Sequence, residues 1–348
     1  MRLHYPAEWE RHEATWIGWP HNSADWPGKF GPIPWAFAEM ARHIAAGERL
    51  HIIVQDARHE AAARRVLRDT GVAEEAVRYF RWPTNRGWTR DLGPLFVRSG
   101  SKRARLAILD YTFNAWAKYP DWELDNAVAA RAARAMKLPR IDVVHRGRRV
   151  VLEGGALDVN GRGTLITTEE CLMDQEVQCR NPGFSKRDWA AVFERYFGAK
   201  NVLWFGRGIA GDDTHGHVDD LCRFVNPKTV VLVREKNPAD ENYRSLEENW
   251  ERVRDMRLED GSRLEAVALP MPDPLRFRGQ RLPASYANFY ICNSAVLVPT
   301  FNDANDRIAL GILAELIPDR PVIGIHAVDL VWGLGAIHCL TREQPTLA

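Results

Sequence analysis

The chain has 348 residues, of which 45% are hydrophobic and 27% charged, a composition that is typical of a globular protein with a large core and excludes a disordered chain. Lys and Arg number 47 against 46 Asp and Glu, for a formal net charge of +1. Since no long block of one sign occurs, the charges favour neither a nucleic-acid partner nor a membrane surface. Residues 1–16 lack the apolar segment of a signal peptide, and no stretch approaches the roughly 18 apolar residues of a membrane span. We therefore expect a cytoplasmic protein.

Periodic hydrophobic residues predict helices at about 35–46, 58–70, 123–137, 185–197, 239–256 and 304–317. A short strand is expected after each of the last five helices, at 77–82, 141–145, 201–205, 264–269 and 322–325. Strand pairs are expected at 151–159 with 164–167 and at 286–292 with 295–299. The recurring unit is strand, strand, helix, strand.

The period of this unit is roughly 60 residues, repeated about five times, which favours a closed ring of similar modules. The alternative is an ordinary alternating α/β protein in which the helix spacing is accidental, and spacing alone does not separate the two. No linker rich in Gly, Ser or Pro divides the chain. We therefore expect residues 1–348 to form a single domain.

Four unusual polar motifs recur near the beginning of the first strand of successive units, one or two periods apart. In a ring of modules, equivalent positions face the same axis, so these motifs are expected to converge on one cavity. They are Trp88-Thr-Arg-Asp91-Leu-Gly-Pro, Glu153-Gly-Gly, Asp213-Thr-His-Gly-His217-Val-Asp219-Asp and Gly335-Ala-Ile-His338-Cys339.

A cavity with several carboxylates and few compensating cations favours a cationic ligand, because buried like charges raise each other's pKa. A planar guanidinium has five N–H donors and fits carboxylates bidentately, so Asp91 and Asp219 on opposite sides would hold it in plane. Cys339 would then approach its central carbon. His217 is the obvious proton carrier, and Glu153 is suited to orient its imidazole.

Each of these residues, taken alone, also has a purely structural interpretation. Asp91 could be a turn-forming residue before Gly-Pro, and Glu153 could be one partner of a buried salt bridge. Cys339 could be a small buried hydrophobic residue, as we assume for the other four cysteines. The five cysteines form no CxxC pair, so we expect free thiols. What separates Cys339 is the glycine-rich approach Trp332-Gly-Leu-Gly, which would let the backbone come close to a ligand.

Two further alternatives concern the histidines and a metal. His215, His217 and Asp219 would share one face if this segment were a strand, so metal ligation has to be considered. His338 would point to the opposite side of a strand from Cys339 and is not expected to be its base. A metal-dependent ureohydrolase would need several separated Asp and His motifs that this chain lacks, and a non-catalytic guanidino-compound binder would need neither Cys339 nor His217.

The motifs together resemble those of the agmatine deiminases, a branch of the bacterial-type peptidylarginine deiminase group. The opening segment, residues 6–16, and the motif Ala284-Ser285-Tyr-Ala-Asn-Phe-Tyr are similar as well, so the resemblance spans nearly the whole chain. It implies a five-bladed α/β propeller of the pentein type. It also implies hydrolysis of agmatine to N-carbamoylputrescine and ammonia through a covalent Cys thiouronium intermediate, a step of putrescine biosynthesis that needs no cofactor and no metal.

Carried over to this chain, the resemblance implies that Cys339 is the nucleophile and His217 the general acid and base. Asp91 and Asp219 would hold the guanidinium, while Glu153 supports His217. The chain departs from the common family pattern at Leu334, Ala336 and Asp220, which bears on the substrate tail and not on the reaction class.

For the far ammonium of agmatine, we expect Trp88 to form a cation–π wall. Trp9, Trp16 or Trp19 would contribute if the N-terminal segment covered the cavity mouth. The recognised motifs supply no Arg or Lys for the α-carboxylate of arginine, so agmatine is preferred over arginine and peptidylarginine, which are the alternative substrates. The expected partner is thus a small guanidino compound, with no nucleic acid and no membrane, and a homo-oligomer is left open.

Overall fold

Five small mixed sheets organise the computed structural model, which describes residues 3–100 and 105–347. Within these ranges the strands are β1 Leu3–His4, β2 His12–Gly18, β3 Arg49–Val54, β4 Val77–Arg81, β5 Leu95–Ser99, β6 Arg105–Asp110, β7 Arg140–Asp142, β8 Val144–His145, β9 Arg148–Arg149, β10 Asp158–Val159, β11 Thr164–Thr168, β12 Asn201–Phe205, β13 Cys222–Phe224, β14 Thr229–Arg234, β15 Glu265–Pro270, β16 Arg276–Phe277, β17 Gln280–Arg281, β18 Tyr290–Ile291, β19 Val296–Thr300, β20 Val322–His326 and β21 Thr341–Pro345. The α-helices of the same ranges are α1 Ile33–Ala45, α2 Ala57–Asp69, α3 Thr89–Leu92, α4 Glu123–Asn126, α5 Val128–Met136, α6 Glu169–Met173, α7 Lys186–Val192, α8 Tyr243–Val253 and α9 Asp306–Leu316.

All five sheets share one pattern, in which an antiparallel pair is followed by a parallel neighbour. Their strand orders are β1-β5-β6-β7, β10-β11-β12, β13-β14-β15, β18-β19-β20 and β21-β2-β3-β4. Each parallel step is crossed by one or more helices, for example α8 between β14 and β15 and α9 between β19 and β20, because parallel strands need a long connection. The expected unit of strand, strand, helix, strand is therefore confirmed at the level of the elements, and the chain has a mixed α/β fold.

The first and last parts of the chain meet in one sheet, where β2 pairs antiparallel with β21 and parallel with β3. Most buried apolar side chains belong to one large cluster. In a smaller cluster, Trp189, Phe193 and Phe197, on α7 and directly after it, pack with apolar residues of β5, β6 and β11. Among the described residues no helix combines the length and the apolarity that crossing a bilayer requires.

The predicted elements at 123–137 and 185–197 are less regular than expected. The first divides into α4 and α5, and the second ends in a π-helical turn, Phe193–Phe197, before Gly198 at φ 71°. The predicted strands 151–159 and 286–292 are mostly wrong, since only β10 and β18 form there. The N–H groups of Val151 and Gly155 bond to the side chains of Asn181 and Asp91 instead of to a neighbouring strand.

These departures from strand structure are what position the polar motifs. Immediately before the first strand of the antiparallel pair, each sheet has one short turn that carries polar side chains. The turns are α3 before β5, Gly154–Ala156 before β10, Val218–Asp220 before β13, residues 285–288 before β18 and His338–Leu340 before β21.

Candidate active site

The structure brings the six predicted site residues together at one cavity of about 310 Å³. Trp88, Asp91 and Cys339 line it, and behind them Nδ1 of His217 lies 3.9 Å from Oδ2 of Asp91 and 4.0 Å from Oδ1 of Asp219. On its other side, Nε2 of His217 lies 3.7 Å from Oε2 of Glu153. The Cys339 sulfur is 3.9 Å from Oδ2 of Asp219.

The Glu153-Gly-Gly motif provides space as well as a carboxylate. A Cβ at Gly155 would collide with the imidazole of His217, and one at Gly154 with the guanidinium of Arg342. The N–H of Gly155 also donates to Oδ1 of Asp91 at 2.9 Å. The two glycines therefore allow Asp91, Glu153 and His217 to occupy one small volume.

Asp91 is fixed by a residue that the sequence reasoning missed. Nε1 of Trp116 donates to Oδ2 of Asp91 at 2.8 Å. Trp116 lies in a left-handed turn in which Ala115, Trp116 and Ala117 have φ values of 50°, 60° and 53°, a conformation that costs each non-glycine residue roughly 1–2 kcal/mol. This strain is offset by the surrounding fold and places the indole N–H against the carboxylate.

Among the described residues, Glu153 has a hydrogen-bond partner for one of its two carboxylate oxygens. Oε1 accepts from Nε of Arg180 at 3.2 Å, and both residues are buried. Burial raises the pKa of Glu153, but the charges of Arg180 and His217 outweigh it and hold that pKa below its usual value. Oε2 has no hydrogen-bond partner among the described residues.

Asp219 is held by His338, a supporting role that was not predicted from the sequence. Nδ1 of His338 lies 2.7 Å from Oδ2 of Asp219, and its Nε2 lies 2.8 Å from Oε2 of Glu8. His338 thus lies between two buried carboxyl groups, and its interactions lower the pKa of both Glu8 and Asp219. Burial opposes ionisation of Asp219, but the His338 bond keeps the pKa of that carboxyl below its usual value.

The interpretation of residues 215–219 as a strand face is wrong. His217 precedes a 3-10 turn, Val218–Asp220, and its own N–H donates to Oδ2 of Asp212 at 2.9 Å. His215 has φ 63° and its Nε2 lies 2.7 Å from Oδ2 of Asp174. A metal site made of His215, His217 and a carboxylate is therefore not what this geometry provides.

Asn288, on the turn before β18, is a second residue that the sequence reasoning missed. Its Nδ2 lies 3.2 Å from the Cys339 sulfur and 2.9 Å from Oδ1 of Asp220, and its Oδ1 accepts the N–H of His338 at 2.9 Å. The signal was present, because Asn288 belongs to the motif Ala284-Ser285-Tyr-Ala-Asn-Phe-Tyr, which the resemblance had already singled out. Asp220, one of the departures from the family pattern, thus contacts a neighbour of Cys339.

The charges set the resting protonation of the two central groups. Burial and the carboxylates of Asp219, Asp220 and Asp91 raise the pKa of the Cys339 thiol well above its usual value. Burial alone would lower the pKa of His217, yet Asp91 and the other polar neighbours raise it well above its usual value. The free protein therefore holds a neutral thiol beside a protonated imidazole.

The outer part of the cavity differs from the expectation in two ways. Gly333 and Gly335 make room for the indoles of Trp26 and Trp88, since a Cβ at either glycine would collide with an indole ring. The two glycines are therefore needed for the packing of the cavity wall. The predicted role of Trp16 and Trp19 is wrong, because both are core residues. Further lining residues of the outer cavity are Asn22, Ala24, Asp25, Arg86, Tyr119, Asp121, Asp213 and Leu334.

Comparisons with known proteins agree over the whole chain. The sequence model of the Porphyromonas-type peptidyl-arginine deiminases matches residues 4–345. The agmatine deiminase of Medicago truncatula is 34% identical over 377 residues, covering 99% of this chain and 97% of that protein. The agmatine deiminase of Ectopseudomonas mendocina (strain ymp) is 33% identical, with coverages of 99% and 95%.

Solved structures give the same result. An agmatine deiminase of Enterococcus faecalis superposes with a TM-score of 0.90 at 29% identity, covering 99% of this chain and 96% of that one. A Cys→Ser variant of the C. jejuni agmatine deiminase with substrate bound gives 0.86 at 28% identity, with the same coverages.

Proposed function

Because this chain belongs to the Porphyromonas-type peptidyl-arginine deiminase family, we propose that it is an agmatine deiminase, a hydrolase that converts agmatine to N-carbamoylputrescine and ammonia and so serves putrescine synthesis. The observation that carries this proposal is the group of buried carboxylates of Asp91, Glu153 and Asp219 around Cys339 and His217. Such a group needs a cation that brings many N–H donors.

The unsatisfied atoms of the site match a guanidinium. Oε2 of Glu153 and Oδ1 of Asp219 are buried acceptors without a donor in the described part of the chain. A guanidinium supplies five N–H donors in one plane and a positive charge. We call Asp91 and Asp219 the clamp carboxylates, which hold the two edges of the guanidinium while its central carbon faces Cys339.

Substrate binding also prepares the nucleophile. The guanidinium charge offsets the carboxylates that raise the Cys339 pKa, and so favours the thiolate that must attack. The thiol proton leaves to the solvent through the cavity that Cys339 lines. The clamp thus opposes ionisation of Cys339 only until substrate arrives.

The reaction then proceeds in two halves. The Cys339 sulfur forms a bond to the guanidinium carbon, protonated His217 gives its proton to the departing nitrogen, the C–N bond breaks and ammonia leaves. An S-alkylthiouronium remains on Cys339. His217 deprotonates a water that adds to the same carbon, and collapse of this adduct breaks the C–S bond, releases the ureido product and regenerates the thiolate. No step uses a metal or an organic cofactor.

The outer cavity supports agmatine over arginine as the substrate. Three carboxylates line it, those of Asp25, Asp121 and Asp213. The sequence reasoning missed a lining cation, Arg86, but Arg86 is already paired with Asp121 at 2.7 Å. Asp213 is likewise paired, with Lys118 at 2.6 Å. Asp25 therefore remains as the carboxylate that would receive the far ammonium of agmatine, and it would oppose an α-carboxylate.

Asp25 is the proposed receptor of that ammonium. Burial raises the pKa of Asp25 to about 7, although Arg86 opposes this, and its buried Oδ2 has no partner in the described residues. An ammonium would satisfy this oxygen and favour its ionised form. Trp88, which lines the cavity beside Asp91, is proposed as the apolar wall along the substrate chain.

The direct test is to incubate the protein with agmatine, arginine and a peptidylarginine and to measure ammonia and ureido product for each. We expect the largest kcat/KM for agmatine. n-Butylguanidine, which keeps the guanidinium and the chain but lacks the ammonium, separates recognition of the head from that of the tail. A larger kcat/KM for the peptidylarginine would favour the alternative function of a peptidylarginine deiminase.

We extend the proposal to the architecture and the location. The shared sheet pattern and the five equivalent turns support a five-bladed propeller with the turns at its centre, and the pairing of β2 with β21 supports a single domain of residues 1–348. One cooperative unfolding transition is the expected observation. The five unpaired cysteines favour a reducing compartment such as the cytoplasm. The proposal also includes a homo-oligomer, which light scattering would test.

A further inference from the structure

We propose that Cys171, His217 and Glu153 form a zinc-binding site at the back of the catalytic cavity, through which Zn²⁺ inhibits the enzyme. One ligand atom from each of the three residues lies within 4.8 Å of the other two. The inhibition part of this proposal depends on the proposed function, in which His217 transfers protons. The metal-binding part does not depend on it.

Cys171 is a thiol for which the proposed reaction has no use. It lies on α6, where its N–H donates to Oγ1 of Thr168 at 3.1 Å, and the residue is only 2% exposed. The sequence interpretation as a small buried hydrophobe does not explain why its sulfur lies beside an imidazole and a carboxylate. Its position is instead that of a third donor.

The two other donors are buried and unsatisfied. Nε2 of His217 and Oε2 of Glu153 have no hydrogen-bond partner in the described residues, and the two residues are 1% and 0% exposed. These atoms are 3.7 Å apart, too far for a good hydrogen bond. That separation is close to the roughly 3.4 Å between two ligands of a tetrahedral ion with bonds of about 2.0–2.1 Å.

The chemistry of the donors selects the ion. Thiolate, imidazole and carboxylate are the protein ligands of Zn²⁺, and three of them leave a fourth position for water. Magnesium and calcium prefer sites made of oxygen ligands.

The charges around the site allow a divalent ion. The thiolate of Cys171 and the carboxylate of Glu153 would balance Zn²⁺, while Arg180 occupies the other oxygen of Glu153. The carboxylate of Asp212 also offsets the charge of Arg180.

Zinc at this site would inhibit the enzyme because it occupies the nitrogen of His217 that faces Glu153 and prevents the imidazole from carrying a proton.

A competing set of metal donors is formed by Asp219, Asp220 and Cys339, whose ligand atoms also lie within 4.8 Å of one another. The two possibilities differ in the sulfur they use. Cys171 supplies it in the proposed site, and Cys339 in the competing one.

The test uses Co²⁺ as a spectroscopic probe of the metal-free full-length protein, without substrate. We expect a thiolate-to-cobalt charge-transfer band at one ion per chain that Zn²⁺ abolishes by displacement. The band should persist in Cys339→Ala and disappear in the matched variant Cys171→Ala. Zinc affinity, measured by competition with a chromophoric chelator, should fall in Cys171→Ala by more than the 10–100-fold typical of lost outer contacts.

A second variant guards against misfolding of the first. Glu153→Gln keeps both thiols and should retain the cobalt band with weakened zinc binding. Absence of a band in the wild-type protein, or its loss in Cys339→Ala and persistence in Cys171→Ala, would overturn the assignment. Since the spectra need no turnover, they decide the metal site independently of whether agmatine is the substrate.

Discussion

Replacing Asp219 by Asn should make the Cys339 thiol more reactive and the enzyme slower. The Asp219 carboxylate lies 3.9 Å from the sulfur and, after burial, is the largest cause of the raised Cys339 pKa. Its neutralisation favours the thiolate. The same change removes one half of the clamp and leaves a buried guanidinium without its partner.

The loss of one partner from a buried charged pair typically costs about 2–5 kcal/mol, which corresponds to roughly a 30- to 4,000-fold fall in kcat/KM. Alkylation of Cys339 by iodoacetamide at pH 7 should accelerate, because the thiolate is the reacting species. The two observables therefore move in opposite directions.

The assay compares agmatine kcat/KM with the alkylation rate across pH 6 to 10, with peptide mapping to show that Cys339 is the modified residue. Asp319→Asn is the matched control, since its side chain is 61% exposed and pairs only with Arg320 in the described residues. It should change neither observable. If Asp219→Asn slowed alkylation together with turnover, the carboxylate would not oppose ionisation of the thiol and the electrostatic account would be wrong.

Four further outcomes are expected. Cys339→Ala should abolish turnover while calorimetry still detects agmatine binding, and an adduct trapped on another cysteine of the rapidly quenched wild-type enzyme would contradict the nucleophile. His338→Asn should raise KM and lower the free energy of unfolding in urea by about 3–5 kcal/mol, because it leaves Asp219 and Glu8 buried without their basic partner. An unchanged urea midpoint of unfolding would refute this. Exhaustive EDTA dialysis should preserve activity, whereas loss with recovery by manganese would favour a metal hydrolase. Since burial raises the pKa of Asp25 to about 7, protonation of Asp25 should weaken agmatine binding as the pH falls through that value. The binding of n-butylguanidine should not show this pH dependence, and Asp25→Asn should remove the dependence from agmatine binding.

The candidate site residues could be identified from the sequence because their polar motifs recur at the same place in successive repeat units. Asp91, Glu153, His217 and Cys339 stand at equivalent turns one or two periods apart, and the structure places them within one small volume. The helices and their crossovers were predictable because each carries a periodic apolar face. The strands predicted from 151 and 286 are mostly wrong because their N–H groups bond elsewhere. Asn181 accepts that of Val151, and the Ser285 hydroxyl accepts that of Ala287.

The supporting residues depend on contacts that no local pattern contains. Trp116 reaches Asp91 only because three consecutive residues adopt the left-handed conformation, and sequence rules assign that region to glycine. The strand geometry assumed for His338 is wrong, because His338 stands in a 3-10 turn. Its partner Glu8 is 330 positions away along the chain, a distance at which single-sequence reasoning has no signal.

These supporting contacts explain how Glu153 and Asp219, whose pKa values lie below their usual values, remain ionised without a ligand. Arg180 occupies one oxygen of Glu153 and leaves Oε2 open, and His338 occupies one oxygen of Asp219 and leaves Oδ1 open. In each case a buried basic side chain holds the carboxylate anionic and fixes its orientation, while the second oxygen remains an unsatisfied acceptor. Because these acceptors are already aimed and charged, a planar cation meets little reorganisation cost when it binds. A site with the same acids but without Arg180 and His338 would protonate them instead, and would lose both the clamp and its effect on the nucleophile.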